Sequence, residues 1–281
     1  MNIVSKVVCV CSLKDLHVWR TAVKYINKNI PAKDYVVIVP DAEVDLFLNN
    51  TPGSVRVEAE SHYIGSLKEC LKQVAPAENH DRIGWYLQQF IKLAALQQSQ
   101  DSDVILIWDA DTVPLKPLFF GNANGALTYY KSHEYHRPYF HVTEKLLGMQ
   151  RMVDYSFIAQ SFVIKGRWAR EFFDYIEARS NKHWRDAIIE QIDWRDGSGF
   201  SEYETMGTFL SHTHASEMHA VESKWLRRGN GVIGSVDNLE RTFSKILLKK
   251  YDFVSFEQWD EPFKSIPKIM RPIVRRVYHF N

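Results

Sequence analysis

Short apolar runs alternate with amphipathic stretches along the first half of the chain. Residues 6–11 are Val-rich and closed by Ser12, which predicts a buried strand. Residues 13–27 then place Leu13, Leu16, Trp19, Val23 and Ile26 on one helical face, and residues 35–39 form a second strand stopped by Pro40 and Asp41. A β-α-β opening of this kind calls for a parallel sheet with a right-handed crossover. Residues 50–79 break the pattern, apart from a short strand at Val55, Arg56 and Val57.

The same alternation continues downstream. Residues 85–96 are helical in period, and Gln88, Gln89 and Lys92 give that helix a polar edge. Residues 103–108 form a strongly apolar strand, residues 125–130 another, and residues 155–164 one or two strands near the sheet edge, in which Gln160 or Ser161 points toward a ligand. Between them, residues 131–141 crowd His133, Tyr135, His136, Arg137, Tyr139 and His141 without periodicity, predicting a loop or lid over a pocket. Helices are expected over 168–178, from Glu202 onward, and over 243–251.

The strand at 103–108 ends in Trp108, Asp109, Ala110 and Asp111. Open α/β sheets bind ligands at the C-terminal tips of their strands. Two carboxylates one residue apart at such a tip suit a hard divalent cation, Mn²⁺ or Mg²⁺, whose shell is completed by waters and substrate phosphates. The first strand-to-helix turn has neither GxGxxG nor a Gly-rich loop ending in Lys and Ser/Thr, which argues against the common dinucleotide and Walker-type sites. Base or ribose contacts from Cys11, Ser12 and Asp41 stay open, with turn capping the alternative for Asp41.

A second chemical centre surrounds Ser201, Glu202, Tyr203 and Glu204. Ser201 caps a helix starting at Glu202, and Glu204 at the third helical position completes a capping box. Glu202 is then the carboxylate left to face the cleft as a general base; the reverse assignment of Glu202 and Glu204 stays open. Beyond that helix, His214 or His212 is a candidate to return to the cation held by Asp111. His133, His136 and His141 match no familiar zinc frame.

Composition narrows the class. With 45% hydrophobic and 25% charged residues in 281, the chain can bury one substantial core. The 35 basic and 34 acidic residues nearly cancel, so nothing points to nucleic acid. Eight Trp and thirteen Tyr suit clefts that stack on bases or sugar rings. Cys9, Cys11 and Cys70 have no metal-type spacing, residues 7–11 are too short for a signal peptide, and no stretch approaches a membrane span. A cytoplasmic protein is expected. The C-terminal tail from Pro262 to Tyr278 mixes basic and apolar residues and suits either peripheral contact with the anionic inner membrane or packing on the catalytic domain.

In their order, these features resemble GT-A type nucleotide-sugar glycosyltransferases. The β-α-β opening, the Trp85 helix and the Asp109-Ala110-Asp111 DxD motif look like the nucleotide-binding half, and residues 201–204 like the acceptor-side acidic helix. More narrowly, residues 84–90 with 201–204 resemble an uncharacterised bacterial family related to polysaccharide-building glycosyltransferases. The resemblance implies a GT-A-like, Rossmann-type α/β fold with a mixed, mostly parallel sheet flanked by helices and a C-terminal helical extension. Its catalytic domain would cover residues 1–220, with a nucleotide half to about 125 and an acceptor half from about 126, followed by the extension at 221–281. It implies a metal-dependent transfer from a UDP-sugar to a carbohydrate or lipid-linked glycan acceptor in bacterial surface polysaccharide synthesis. Asp111 would be the direct metal ligand, Asp109 would contact ribose or metal-bound water, and Glu202 would serve an inverting displacement. The competing classes are a sugar-phosphate nucleotidyltransferase and a non-catalytic carbohydrate-binding protein.

Overall fold

A computed structural model describes residues 4–122, 124–222 and 224–268. Its centre is a five-stranded sheet in the order β3-β2-β1-β4-β7. These strands are β1 (Lys6–Val10), β2 (Asp34–Val39), β3 (Arg56–Ala59), β4 (Val104–Trp108) and β7 (Ser161–Lys165). β1 runs parallel to β2 and β4, β2 runs parallel to β3, and β7 is antiparallel to β4. The sheet is therefore mixed and mostly parallel, as the apolar runs predict. Strands buried on both faces read as continuous hydrophobic runs, which is how β4 reads.

Helices cover both faces. Leu16–Asn29 buries Leu16, Trp19, Ala22, Val23 and Ile26, whereas Leu13 belongs to a preceding 3₁₀ turn and is exposed. Ile83–Gln97 is buried along nearly its whole length, including Gln89 and Lys92, so the polar edge expected there faces inward. Residues 50–79 are more ordered than their composition suggests: besides β3 they contain the helices Ser61–Ile64 and Leu67–Val74.

The expected lid over 131–141 is half helix. Arg137–Leu147 begins right after His136, with Pro138 in its first turn, where the missing N–H costs nothing. Of residues 155–164, only the last four enter a strand, and Gln160 just before β7 has a left-handed φ of 62°. Trp184–Gln191 is a further helix that the pattern did not suggest.

Two small sheets complete the fold. β6 (Leu127–Lys131) runs parallel to β8 (Met218–Glu222). β10 (Phe253–Ser255) lies between β5 (Thr112–Pro114) and β9 (Trp225–Leu226). Past residue 220 the chain thus returns to the tip of β4, and the helical extension expected there carries strands as well as the helices Gly229–Ile233 and Thr242–Leu248. Most of the basic and apolar tail, residues 269–281, lies outside the described residues. Among those described, no helix is long and apolar enough to cross a membrane.

Helix Glu202–Thr213 packs without a side chain at one point for a steric reason. A Cβ on Gly207 would lie 2.1 Å from the ring of Phe157. That contact sets the Ser156–Phe157 backbone directly against the first turns of the helix.

Candidate active site

β4 carries its acids to the C-terminal edge of the central sheet, and the turn that follows is held from both sides. The Asp109 N–H donates to the Gln160 carbonyl (2.9 Å), the Thr112 N–H to the Asp109 carbonyl (3.1 Å), and the Phe256 N–H to the Asp111 carbonyl (2.9 Å). Gln160 adopts its left-handed φ where its carbonyl meets Asp109, a conformation that costs on the order of 1–3 kcal/mol for a non-glycine residue.

Lys92, from the Ile83–Gln97 helix, reaches this turn from below. Its Nζ lies 2.6 Å from Asp109 Oδ1, 2.8 Å from Glu202 Oε1 and 3.1 Å from the Tyr203 hydroxyl, so each of its three N–H groups has an acceptor. The Tyr203 hydroxyl in turn donates to Asp109 Oδ1 at 2.7 Å. Only Asp109 reaches the cleft: its side chain is 22% exposed, against 7% for Lys92 and 5% for Glu202. Its Oδ2 has no partner among the described residues.

Burial works to lower the Lys92 pKa, but the Asp109 and Glu202 carboxylates outweigh it and the ammonium is held charged. Burial raises Glu202, with Lys92 opposing. Glu202 is therefore the counter-charge of a buried lysine, and the expectation that it faces the cleft as a free base is corrected.

Asp111 is in a different environment. Burial pushes its carboxyl well above the ordinary range, and Asp109, Glu257 and Asp15 each push it further; one hydrogen bond from Thr112 opposes them. Glu257 follows β10 and accepts from Arg227 Nε (2.8 Å), Gln160 Nε2 (3.1 Å) and Trp259 Nε1. Among the described residues, no group of three or more His, Cys, Asp or Glu side chains is arranged to hold a metal. The donor set that does present itself is Asp109 Oδ2 with Asp111, two carboxylates in a neighbourhood of negative charge. That fits a hard cation taking its other ligands from water and phosphate.

The remaining candidates divide. Cys11 and Ser12 end β1 on the same edge as Asp109, Cys11 buried with its thiol pushed up by burial and Ser12 half-buried. Asp41 spends its carboxylate on the Ser61 hydroxyl and N–H, which is a turn-capping role. Gln89 Oε1 accepts from the Glu202 N–H at 3.0 Å, while its buried Nε2 has no partner; Gln88 is half-buried. Gln160 is buried and braces Glu257.

His212 and His214 are not at the acid pair. They sit in the last turn and at the C-cap of the Glu202–Thr213 helix, roughly 15 and 18 Å along its axis from Glu202. His212 meets the Gln150 carbonyl at 2.8 Å, and His214 meets Glu171 at 2.6 Å while stacking on Trp168. The expectation that either returns to the cation at Asp111 is corrected by this helix length.

Glu204 is also reassigned. Ser201 caps the helix by accepting from the Glu204 N–H at 3.3 Å, but the Glu204 carboxylate does not close a capping box. It accepts instead from the Ser156 hydroxyl and the Phe157 N–H, with its second oxygen buried and unpartnered. Burial lifts its carboxyl to about 7, against the Ser156 hydrogen bond and the Arg151 charge.

Sequence reasoning assigned no site role to Lys92, Tyr203 or Glu257, and read the basic turn at Arg227 and Arg228 as meeting a diphosphate or, with preference, solvent. A signal existed for Lys92: it is a lone charge inside the apolar run Phe90, Ile91, Leu93, Ala94. Glu257 gave none, because only the pairing of β10 with β5 brings it to the acids, and the pairing of β9 with β10 then brings Arg227 to Glu257.

Two outcomes follow. Lys92→Met strands two carboxylates and is expected to cost roughly 3–5 kcal/mol in urea unfolding, with part of that recovered when Glu202→Gln is added. The folded-state pKa of Glu204 is raised, so between about pH 4.5 and 7 the folded state holds a proton that the unfolded chain releases. Stability from this group therefore falls as pH rises through that window, by roughly 3 kcal/mol at most. Glu204→Gln is expected to remove this dependence, so that its unfolding free energy relative to the wild type improves from pH 5 to 8.

The fold is similar to those of solved structures. An active-site mutant of LgtC superposes with a TM-score of 0.52 at 12% identity, covering 95% of this chain and 99% of that one. The galactosyltransferase LgtC with donor and acceptor sugar analogs gives 0.49 at 11% identity over the same shares. Mouse xyloside xylosyltransferase 1 gives 0.47 at 10% identity, over 91% of this chain and 98% of that one. The fold is that of the GT-A glycosyltransferases. No curated protein matches the chain in sequence. A family model described as a family of unknown function, DUF6492, matches residues 17–229, and the chain belongs to that family.

Proposed function

We propose that the protein is a glycosyltransferase that moves a sugar from a nucleotide diphosphate donor, a UDP-sugar, to a hydroxyl of a carbohydrate acceptor. The observation that carries this reading is the Asp109–Asp111 turn: one oxygen of Asp109 is fixed by Lys92 and Tyr203 and the other is open, and Asp111 is surrounded by negative charge. Such a pair, at the C-terminal tip of a parallel strand in a GT-A fold, suits a cation shared with a diphosphate.

Asp109 and Asp111 would hold Mn²⁺ or Mg²⁺, which when bound neutralises charge on the departing diphosphate. The protein's own part is orientation. Lys92 and Tyr203 hold the Asp109 carboxylate in one rotamer, and Gln160 and Phe256 hold the backbone of the turn. Preorganised groups of this kind need no rearrangement as charge develops. Glu202 contributes by fixing Lys92 rather than by taking the acceptor's proton, so the inverting outcome no longer rests on it. Cys11 and Ser12, at the tip of the neighbouring strand, lie where a nucleoside would extend from the diphosphate.

Purified protein with UDP-sugars and MnCl₂ is expected to release UDP. Asp111→Asn, or removal of divalent metal with EDTA, is expected to cut that release by about 100-fold or more. Unchanged release in Asp111→Asn contradicts the assignment, and pyrophosphate formation that depends on a sugar phosphate would instead identify a nucleotidyltransferase.

A further inference from the structure

A cavity of about 360 Å³ opens between the ends of β6 and β8 and strand β9. Its volume falls in the range of small-molecule sites. Its walls carry Lys131, Glu134, Glu222, Trp225 and Arg227. None of these residues belongs to the Asp109–Asp111 turn, but one of them touches it through a short relay. Arg227 Nε donates to Glu257, Glu257 accepts from Gln160, and the Gln160 carbonyl accepts from the Asp109 N–H. Cavity and acid pair are thus joined by one chain of hydrogen bonds.

The charges of this cavity are already paired. Lys131 lies 3.2 Å from Glu222, its partner in the β6–β8 register, and Arg227 Nη1 donates to Glu134. An anionic ligand would find its cations neutralised, and an apolar ligand would strand the charged groups. A neutral polyhydroxylated ring suits both constraints, because each hydroxyl can donate to a carboxylate and accept from an ammonium or guanidinium. Glu134 Oε1 and Arg227 Nη2 have no partner among the described residues and are available for this. The Glu134 backbone is fixed by its N–H to the Ser132 hydroxyl at 3.3 Å. Trp225 is fixed as well: its indole N–H donates to Ser255 at 2.8 Å, Phe253 stacks on its ring and the Arg227 guanidinium lies 5.6 Å from the ring centre, so the half-buried part of the ring left at the cavity wall is the apolar surface against which a sugar ring can pack.

We propose that this cavity is the acceptor subsite and that it takes a neutral pyranose ring, read by Glu134 and Arg227 and packed on Trp225. This inference rests on the transferase reading. Saturation-transfer NMR with the methyl glycosides of glucose, galactose, N-acetylglucosamine and xylose, with methyl glucuronide as the charged control, tests it on the wild-type chain. At least one neutral glycoside is expected to bind, ahead of the glucuronide. Trp225→Ala and Glu134→Gln are each expected to weaken that binding by about fivefold or more. Should either variant lower the melting temperature, Glu222→Ala at the exposed rim serves as the third probe and is expected to weaken binding in the same direction.

Absence of binding across the neutral glycosides, binding of the glucuronide alone, or binding indifferent to these substitutions overturns the subsite. UDP release from UDP-sugars by the wild type is read separately. Release without glycoside binding removes the subsite and leaves the transferase. Glycoside binding that depends on Trp225 and Glu134, without release from any donor, supports a carbohydrate site and removes the transferase.

Discussion

The structure depends on one buried ammonium. Lys92 spends its three N–H groups on Asp109, Glu202 and Tyr203, and those acceptors come from two elements far apart in sequence. A buried ion pair of this kind adds little net stability over an apolar substitute, but losing one partner is expensive because an unpaired charge remains. Its consequence here is positional. The tip of β4, the Ile83–Gln97 helix and the start of the Glu202–Thr213 helix are tied at one point, and only Asp109 of the group faces the cleft.

Around that point the protein arranges opposite environments for its acids. Asp109 is paired, and Asp111 two residues on is surrounded by burial and like charge. Glu257, from the other end of the chain, is held by Arg227, Gln160 and Trp259 and so joins the acid turn to the β6–β9 cavity. Glu204 is buried behind the cavity wall, where its carboxylate fastens the Ser156–Phe157 backbone that pairs with Ser132 and leads to Gln160. Gln160, in a left-handed backbone conformation, links the acid turn to Glu257 and through it to Arg227 at the cavity.

Much of this was legible in the residues. The Val-rich and Ile-rich runs locate β1, β2 and β4, and the Trp108-Asp109-Ala110-Asp111 sequence points to the candidate site, because strand burial and strand-tip chemistry are both local properties. Ser201 likewise announces its helix. What failed was long-range. Glu202 and Glu204 look like two acids of one helix start, and only the packing of Lys92 and Ser156 tells their surroundings apart. His212 and His214 are near Glu202 in sequence, but a regular helix carries them away. The crowded segment at 131–141 hid the helix Arg137–Leu147, since its His, Arg and Pro obscure the apolar face of Tyr139, Val142, Leu146 and Leu147. Arg227 and Glu257 reach the site only through strand pairing.

The most direct test is anomalous scattering from Mn²⁺ in crystals grown with UDP. The account expects the ion at Asp109 and Asp111 beside the nucleotide, with Lys92 still on Asp109 Oδ1. An ion and nucleotide seated elsewhere, or a Lys92 ammonium that has left Asp109 to bind the phosphates itself, would contradict it.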